Sequence, residues 1–162
     1  MLVAFLESFK YVGHMFPVVL LRAFIGWFYL KQALLKYSGE FLFKPLLSHQ
    51  LSEWLPKSDA PVGYKAFIEE FVIPHPNWVV FAYGITALEF LVAFSYLTGF
   101  LVRPLGILAA LLSFNLAMLS GPDQEAFHLT LFVIHLTMAW LGAGRCFGVD
   151  YYFYKRQRGI WW

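Results

Sequence analysis

Apolar positions dominate four long runs of the chain, and the sequence between them is mixed or turn-forming. The runs are residues 17–36 (PVVLLRAFIGWFYLKQALLK), 78–101 (WVVFAYGITALEFLVAFSYLTGFL), 104–120 (PLGILAALLSFNLAMLS) and 127–143 (FHLTLFVIHLTMAWLGA). About 20 predominantly apolar residues carry a helix across a bilayer, so the first two are full-length candidates and the last two lie near the short limit. Pro17 suits the first turn of a helix. The short connection 121–126 predicts that the third and fourth runs are antiparallel neighbours. The pattern predicts an all-α integral membrane four-helix bundle, a single transmembrane domain over residues 1–162.

Residues 37–77 follow a different rule. Phe43, Leu46, Leu47, Leu51 and Trp54 recur at helical spacing and predict one short amphipathic helix. Asp59 and Pro61 open a second, with Tyr64, Phe67, Ile68 and Phe71 on its apolar face and Pro74 and Pro76 closing it. A loop holding two such helices is expected to cap one end of the bundle. Upstream, Leu2, Phe5, Leu6 and Phe9 form a stripe with Glu7, Ser8 and Lys10 off it, which predicts an N-terminal interfacial helix. Glu7 and Lys10 break that segment and no small-residue cleavage pattern follows the first run, so the mature chain is expected to begin near Met1. The tail, 144–162, is basic and aromatic, and Trp161 and Trp162 suit interfacial anchoring.

Composition sharpens the membrane reading. Hydrophobic residues make up 60% of the chain, charged residues 14%, and mean hydropathy is +0.62; an average soluble domain carries roughly 25% charged residues. A scattered net charge of +2 gives no footprint for nucleic acid. Cys146 is the one cysteine, so a single chain can form neither an internal disulfide nor a cysteine-built metal site. With four spans both termini share a side, and Lys10, Arg103, Arg145, Lys155, Arg156 and Arg158 share it with them. Lys44, Lys57 and Lys65 lie opposite, in the long loop. The positive-inside rule then places both termini in the cytoplasm and the cap outside; the membrane expected is the inner membrane of a bacterium or archaeon.

Glu89 is the most informative residue, a carboxylate near the centre of an otherwise uncharged run. Such a charge costs several kcal/mol unless it meets protein, water or a partner charge. It either fixes helix packing, by pairing with Arg22, Lys31 or His135, or it takes part in chemistry. At about 1.5 Å of rise per residue, Glu89 and His135 fall near the midplane. Lys31, Asn115 and His128 fall in the outer half and Arg22 in the inner half. Glu89 and His135 are the candidates for proton exchange. Lys31, Lys36, Asn115 and His128 are the candidate lining of a polar pocket that opens toward the cap and takes a small anion or a quinone oxygen.

Each assignment has a plainer counterpart. Lys31 and Lys36 could snorkel to the interface, His128 could be interfacial, and His135 could be a hydrogen-bonded core residue. His128 and His135 share a helix face but sit ~10 Å apart along it, too far to hold one metal together, and no metal site is expected. The chain has no phosphate loop, nucleophile elbow, HExxH or CxxC. Four spans without a visible inverted repeat argue against a transporter.

The order of these features resembles the DoxX/DoxD family, which includes the small membrane subunit of thiosulfate:quinone oxidoreductase. The resemblance is carried by Arg22-Ala-Phe-Ile-Gly26 running to Lys36-Tyr37, and by Ala87-Leu-Glu89 followed by Leu97-Thr-Gly99-Phe-Leu-Val-Arg103-Pro104. Gly142-Ala-Gly144-Arg145-Cys-Phe-Gly148-Val-Asp150 completes it. The resemblance implies a four-helix membrane bundle and a role in quinone-linked sulfur oxidation, with quinone as the expected cofactor. It marks Arg22, Gly26, Lys36, Glu89, Gly99, Arg103 and Asp150 as pattern positions. The competing reading is a non-catalytic scaffold or accessory subunit of a larger complex. Expected partners are the lipid bilayer and either a partner subunit or further copies of the chain.

Overall fold

A computed structural model describes residues 16–157 and Gly159; the expected N-terminal interfacial helix and the terminal tryptophans lie outside the described residues. Among the described residues the chain is all-helical, with no strand. The long helices are α1 (Phe16–Ser38), α4 (Asn77–Thr98), α5 (Val102–Leu119) and α6 (Pro122–Leu141). The short ones are α2 (Leu46–Trp54), α3 (Val62–Phe67) and α7 (Asp150–Arg156). Helices α1, α4 and α5 are long and apolar enough to cross a membrane. Helix α6 has comparable length but opens with Asp123, Gln124 and Glu125 and carries two histidines. Acids in a first turn favour the helix N-terminus, and Pro122 fits the same turn, so α6 begins before the apolar run does.

The four long helices run alternately up and down. Gly26 on α1 lies so close to α4 that an added Cβ would stand 3.0 Å from the Tyr96 Cβ and 3.1 Å from the Leu97 amide nitrogen. Gly106 on α5 likewise faces Ala139 and the His135 carbonyl of α6. Small residues at such crossings let helix backbones approach closely, which drives association where lipid removes the hydrophobic incentive. Ile25, Tyr29, Val92, Tyr96, Ala109, Leu131 and Met138 form the core between them. Large apolar side chains also point outward, Trp140 at 86% exposure being the extreme, and this surface is consistent with lipid contact.

Residues 37–77 do form a cap. Leu42, Leu47, Leu51, Leu55, Ile68 and Val72 pack over Trp78, Ala82 and Leu119 at one end of the long helices. Two details differ from the sequence pattern. Phe43 is 76% exposed, because α2 starts only at Leu46 and the turn before it breaks the helical period. Phe67 and Phe71 stack on each other at the surface while Ile68 and Val72 turn inward. Here α3 continues into a wider π-type turn, Ile68–Val72, which rotates the face that an unbroken α-helix would present.

The other end is closed by a latch. Arg22, 2% exposed, donates from Nη1 to the carbonyls of Ala143 (2.5 Å) and Cys146 (3.1 Å), and from Nη2 to Phe147 (3.2 Å). Asp150 accepts from the Leu101 and Val102 amides at 2.7 and 3.1 Å, where α5 begins. A helix leaves its first amides without intrahelical partners, so a carboxylate there satisfies both donors and dipole. Burial pushes the Asp150 carboxyl up, against the pull of those amides and of Arg22. The Val149 and Asp150 amides bond to the carbonyls of Thr98 and Gly99. Gly99 and Gly148 thereby cross at a spacing that no side chain allows.

Gly99 has φ +70°, and a Cβ there would lie 2.5 Å from the Gly148 Cα and 2.8 Å from Arg22 Nη1. The left-handed backbone alone costs roughly 1–2 kcal/mol for a non-glycine residue. Gly99→Ala is expected to lower the midpoint of thermal unfolding in detergent by displacing Arg22. Gly84→Ala, in open space on α4, is expected to leave it unchanged or raise it slightly, since alanine gains up to ~1 kcal/mol of helix propensity. Equal effects of the two would contradict the latch.

Candidate functional site

The antiparallel register of α1 and α4 decides which cation meets Glu89. Gly26 faces Tyr96 and Leu97; further along α1 and correspondingly back along α4, Lys36 comes level with Glu89. Lys36 Nζ donates to Glu89 Oε1 at 2.5 Å, with side-chain exposures of 24% for the lysine and 8% for the glutamate. The lysine also sits 5.2 Å from the Phe41 ring centroid. Glu89 thus pairs with none of the partners weighed from sequence: Arg22 is engaged at the latch, Lys31 is exposed, and His135 bonds elsewhere. A buried charge is tolerable only when paired and hydrogen-bonded, and Lys36, in the last turn of α1, is the group that the register supplies.

A pocket of about 290 Å³ lies beside this pair, beneath the cap. Phe28, Phe41, Trp54 and Phe127 wall it, and Gln32, Gln50, Gln124 and His128, with Tyr29 and Ser113, join Lys36 and Glu89 as its polar lining. In the side chains of Glu89 and His128, Oε2 and both ring nitrogens are buried with no hydrogen-bond partner among the described residues. Leaving a buried polar atom unpaired costs about 1–3 kcal/mol, so three such atoms around one cavity call for an explanation. Ring edges hold the imidazole in place: Trp54 stands 6.3 Å and Phe127 5.3 Å from it, centroid to centroid. A larger groove of about 740 Å³ runs between α5 and α6 at the latch end, past Arg103, Pro104 and Trp140. It is open and mostly apolar, and neither Glu89 nor His128 lines it.

His135 is not part of the pocket. It is fully buried, with Tyr29 Oη 2.8 Å from Nε2 and Tyr96 Oη 2.7 Å from Nδ1. An imidazole with one N–H donates to one tyrosine and accepts from the other. Every proton finds an acceptor if Tyr96 donates to Nδ1, Nε2–H donates to Tyr29, and Tyr29 points toward Ser113 Oγ at 3.5 Å. With both nitrogens used, His135 is a packing node that joins α1, α4 and α6.

The remaining candidates divide. His128 and Lys36 line the pocket, while Lys31 and Asn115 do not. Asn115 donates to the Tyr64 hydroxyl and so fastens α3 of the cap to α5. Burial pushes that hydroxyl up, with the Asn115 bond acting the other way, so it stays protonated. Among the described residues no group of histidine, cysteine and acidic side chains could hold a metal. Gln32, Gln50 and Gln124 were not singled out from the sequence, although a signal existed. Each lies four residues before a pocket residue, Lys36, Trp54 and His128 respectively, and therefore on the same helix face. No family model, curated protein or solved structure matches the chain.

Removing one member of a buried ion pair costs about 3–5 kcal/mol, largely because the other charge is stranded. Lys36→Met is therefore expected to destabilise the protein strongly in chemical denaturation. Lys36→Met combined with Glu89→Gln is expected to recover more than half of that loss. If the two effects simply add, the pair is not coupled.

Proposed function

We propose that the chain is a DoxX/DoxD-like membrane protein of four spans that holds a quinone head group in the pocket beneath its cap, as the membrane subunit of a quinone-linked oxidoreductase. The observation that carries this reading is an aromatic-walled cavity lined by Lys36, Glu89 and His128, in whose wall Glu89 Oε2 and the two His128 nitrogens are buried with no hydrogen-bond partner among the described residues. Ligand sites are mostly apolar concavities with a few convergent polar groups. At about 290 Å³ this one suits a single substituted ring.

Several features support the membrane arrangement. Helix α6 packs along α5, and the Gly106 contact with Ala139 and the Phe114–Phe132 contact, both between these two helices, support a fourth span beside α5. A fourth crossing follows, with the polar first turn of α6 at the interface. The cations of the latch end then favour cytoplasmic termini in a bacterial or archaeal inner membrane. The pattern positions sort by role. Arg22, Gly26, Gly99 and Asp150 build the scaffold, and Lys36 and Glu89 face the pocket.

The residues present fit a quinone. Its ring oxygens accept hydrogen bonds, and its reduction consumes protons together with electrons. Lys36, a His128 N–H and the side-chain amides of Gln32, Gln50 and Gln124 are donors available to a ring oxygen. Glu89 is anchored through Oε1 and leaves Oε2 free to take up or release a proton at the pocket wall. The Phe28, Phe41, Trp54 and Phe127 rings exclude water and offer faces to the ring. The second reading, a non-catalytic accessory subunit, draws on the same ion pair: Lys36 and Glu89 already satisfy each other at Oε1 and could serve packing alone.

Purified protein is expected to retain quinone that organic extraction recovers in near-stoichiometric amount. Loss of a single ligand hydrogen bond is worth roughly 1–1.5 kcal/mol, about ten-fold in affinity. Glu89→Gln and His128→Leu are each expected to weaken quinone binding by that factor, and Glu89→Gln to abolish turnover in the fraction of assembled enzyme that stays folded. A preparation with no quinone and a stoichiometric partner chain would favour the accessory-subunit reading, and full turnover in Glu89→Gln would remove the proton-handling role.

A further inference from the structure

We infer that the ligand reaches the pocket sideways from the bilayer, through the seam between α1 and α6, and that its apolar tail stays in that seam. The inference rests on the pocket holding a ring that carries such a tail, and goes beyond it by fixing the path. Around the bundle, α1 lies closely against α4, α4 against α5, and α5 against α6. The closing contact, α1 with α6, is of another kind. Side chains bridge it: Phe28 meets Phe127 edge to face at 6.1 Å between centroids, and Tyr29 meets His135.

Exposure places the mouth of the pocket on this seam. Of the lining, Phe127 is 51% exposed and Gln124 is also exposed, as is Gln50 on the cap helix α2 beside them, while Phe28 and Gln32 are half-buried. On the α4 and α5 walls no lining residue is exposed: Glu89 and Ser113 are buried, and Ile85, Leu112 and Leu116 are half-buried. The mouth is also graded in polarity. Gln32 and Gln124 stand one turn nearer the cap, and Phe28 and Phe127 one turn deeper, on their two antiparallel helices. A water-borne anion arriving through the cap would have no use for an apolar lower lip facing lipid. An amphiphile dissolved in the bilayer fits both parts: its polar head passes the glutamines toward Lys36 and Glu89, and its tail leaves between the two phenylalanines. Two rings in edge contact, with no backbone hydrogen bond across them, can part by side-chain rotation alone.

The test uses the full chain in lipid nanodiscs and an isoprenoid quinone with a photoreactive diazirine in the first tail unit. Illumination is expected to label α1 around Phe28 and α6 around Phe127, and excess unlabelled quinone is expected to suppress the labelling. Phe127→Ala, which opens the lower lip, is expected to speed exchange of bound probe with the bilayer about ten-fold, equivalent to ~1.4 kcal/mol of barrier. Competable labelling of the cap or of α4 and α5 instead would overturn the seam while leaving quinone binding intact, as would unchanged exchange in Phe127→Ala. If no labelling is competable and no quinone is retained, the quinone reading itself fails and the path fails with it.

Discussion

A carboxylate in the middle of an apolar helix has few stable arrangements, and the geometry around Glu89 follows from the one used here. Its Oε1 takes a charge-assisted bond from Lys36, across a helix pair held close at Gly26. That bond ties the last turn of α1 to the middle of α4, so the register of these helices and the position of the charge are one constraint. Because the lysine engages only one oxygen, the other is left without a hydrogen-bond partner among the described residues, in a side chain that lines the cavity together with His128. The same arrangement that makes the acid tolerable leaves it a free coordination position.

Scaffold and site occupy opposite ends of the four long helices. At the latch, Arg22 collects three carbonyls and Asp150 two amides, with Gly99 and Gly148 crossing between them. These bonds satisfy backbone groups that chain turns leave open, a requirement that lipid makes strict. At the cap, Leu47, Leu51 and Ile68 close over the helix ends, and the Asn115–Tyr64 bond joins α3 to α5. The tyrosine–histidine–tyrosine chain at His135 separates the two ends with a fully satisfied polar node. Polarity inside the bundle is therefore divided among the latch, the His135 node and the pocket, and Tyr29, which lines the pocket, joins the last two.

Much of this architecture was legible in the sequence because lipid-spanning length and glycine or proline punctuation are local signals. The long helices coincide with the four apolar runs, and Gly99 and Gly142 end two of them in left-handed geometry. The cap was legible as two amphipathic stretches, though not the π-type turn that moves Phe67 and Phe71 outward. The site was legible as a set of polar residues at similar depth but not as a set of contacts. Depth placed Glu89 level with His135; rotation of each helix about its axis, set by Gly26 and Gly106, put the histidine between two tyrosines and brought Lys36 to the acid. Lys31 and Lys36 cannot be told apart by hydropathy, only by which face the α1–α4 crossing buries.

The account stands on Glu89 being held on one side and open on the other. Isotope-edited infrared difference spectra, wild type against Glu89→Gln, report that carboxyl group directly as quinone is added to protein in nanodiscs. The account predicts a carboxyl band that shifts on quinone addition in the wild type and is missing in the variant. A bound quinone that leaves the Glu89 band unmoved would contradict it, and would reduce the Lys36–Glu89 pair to a packing contact.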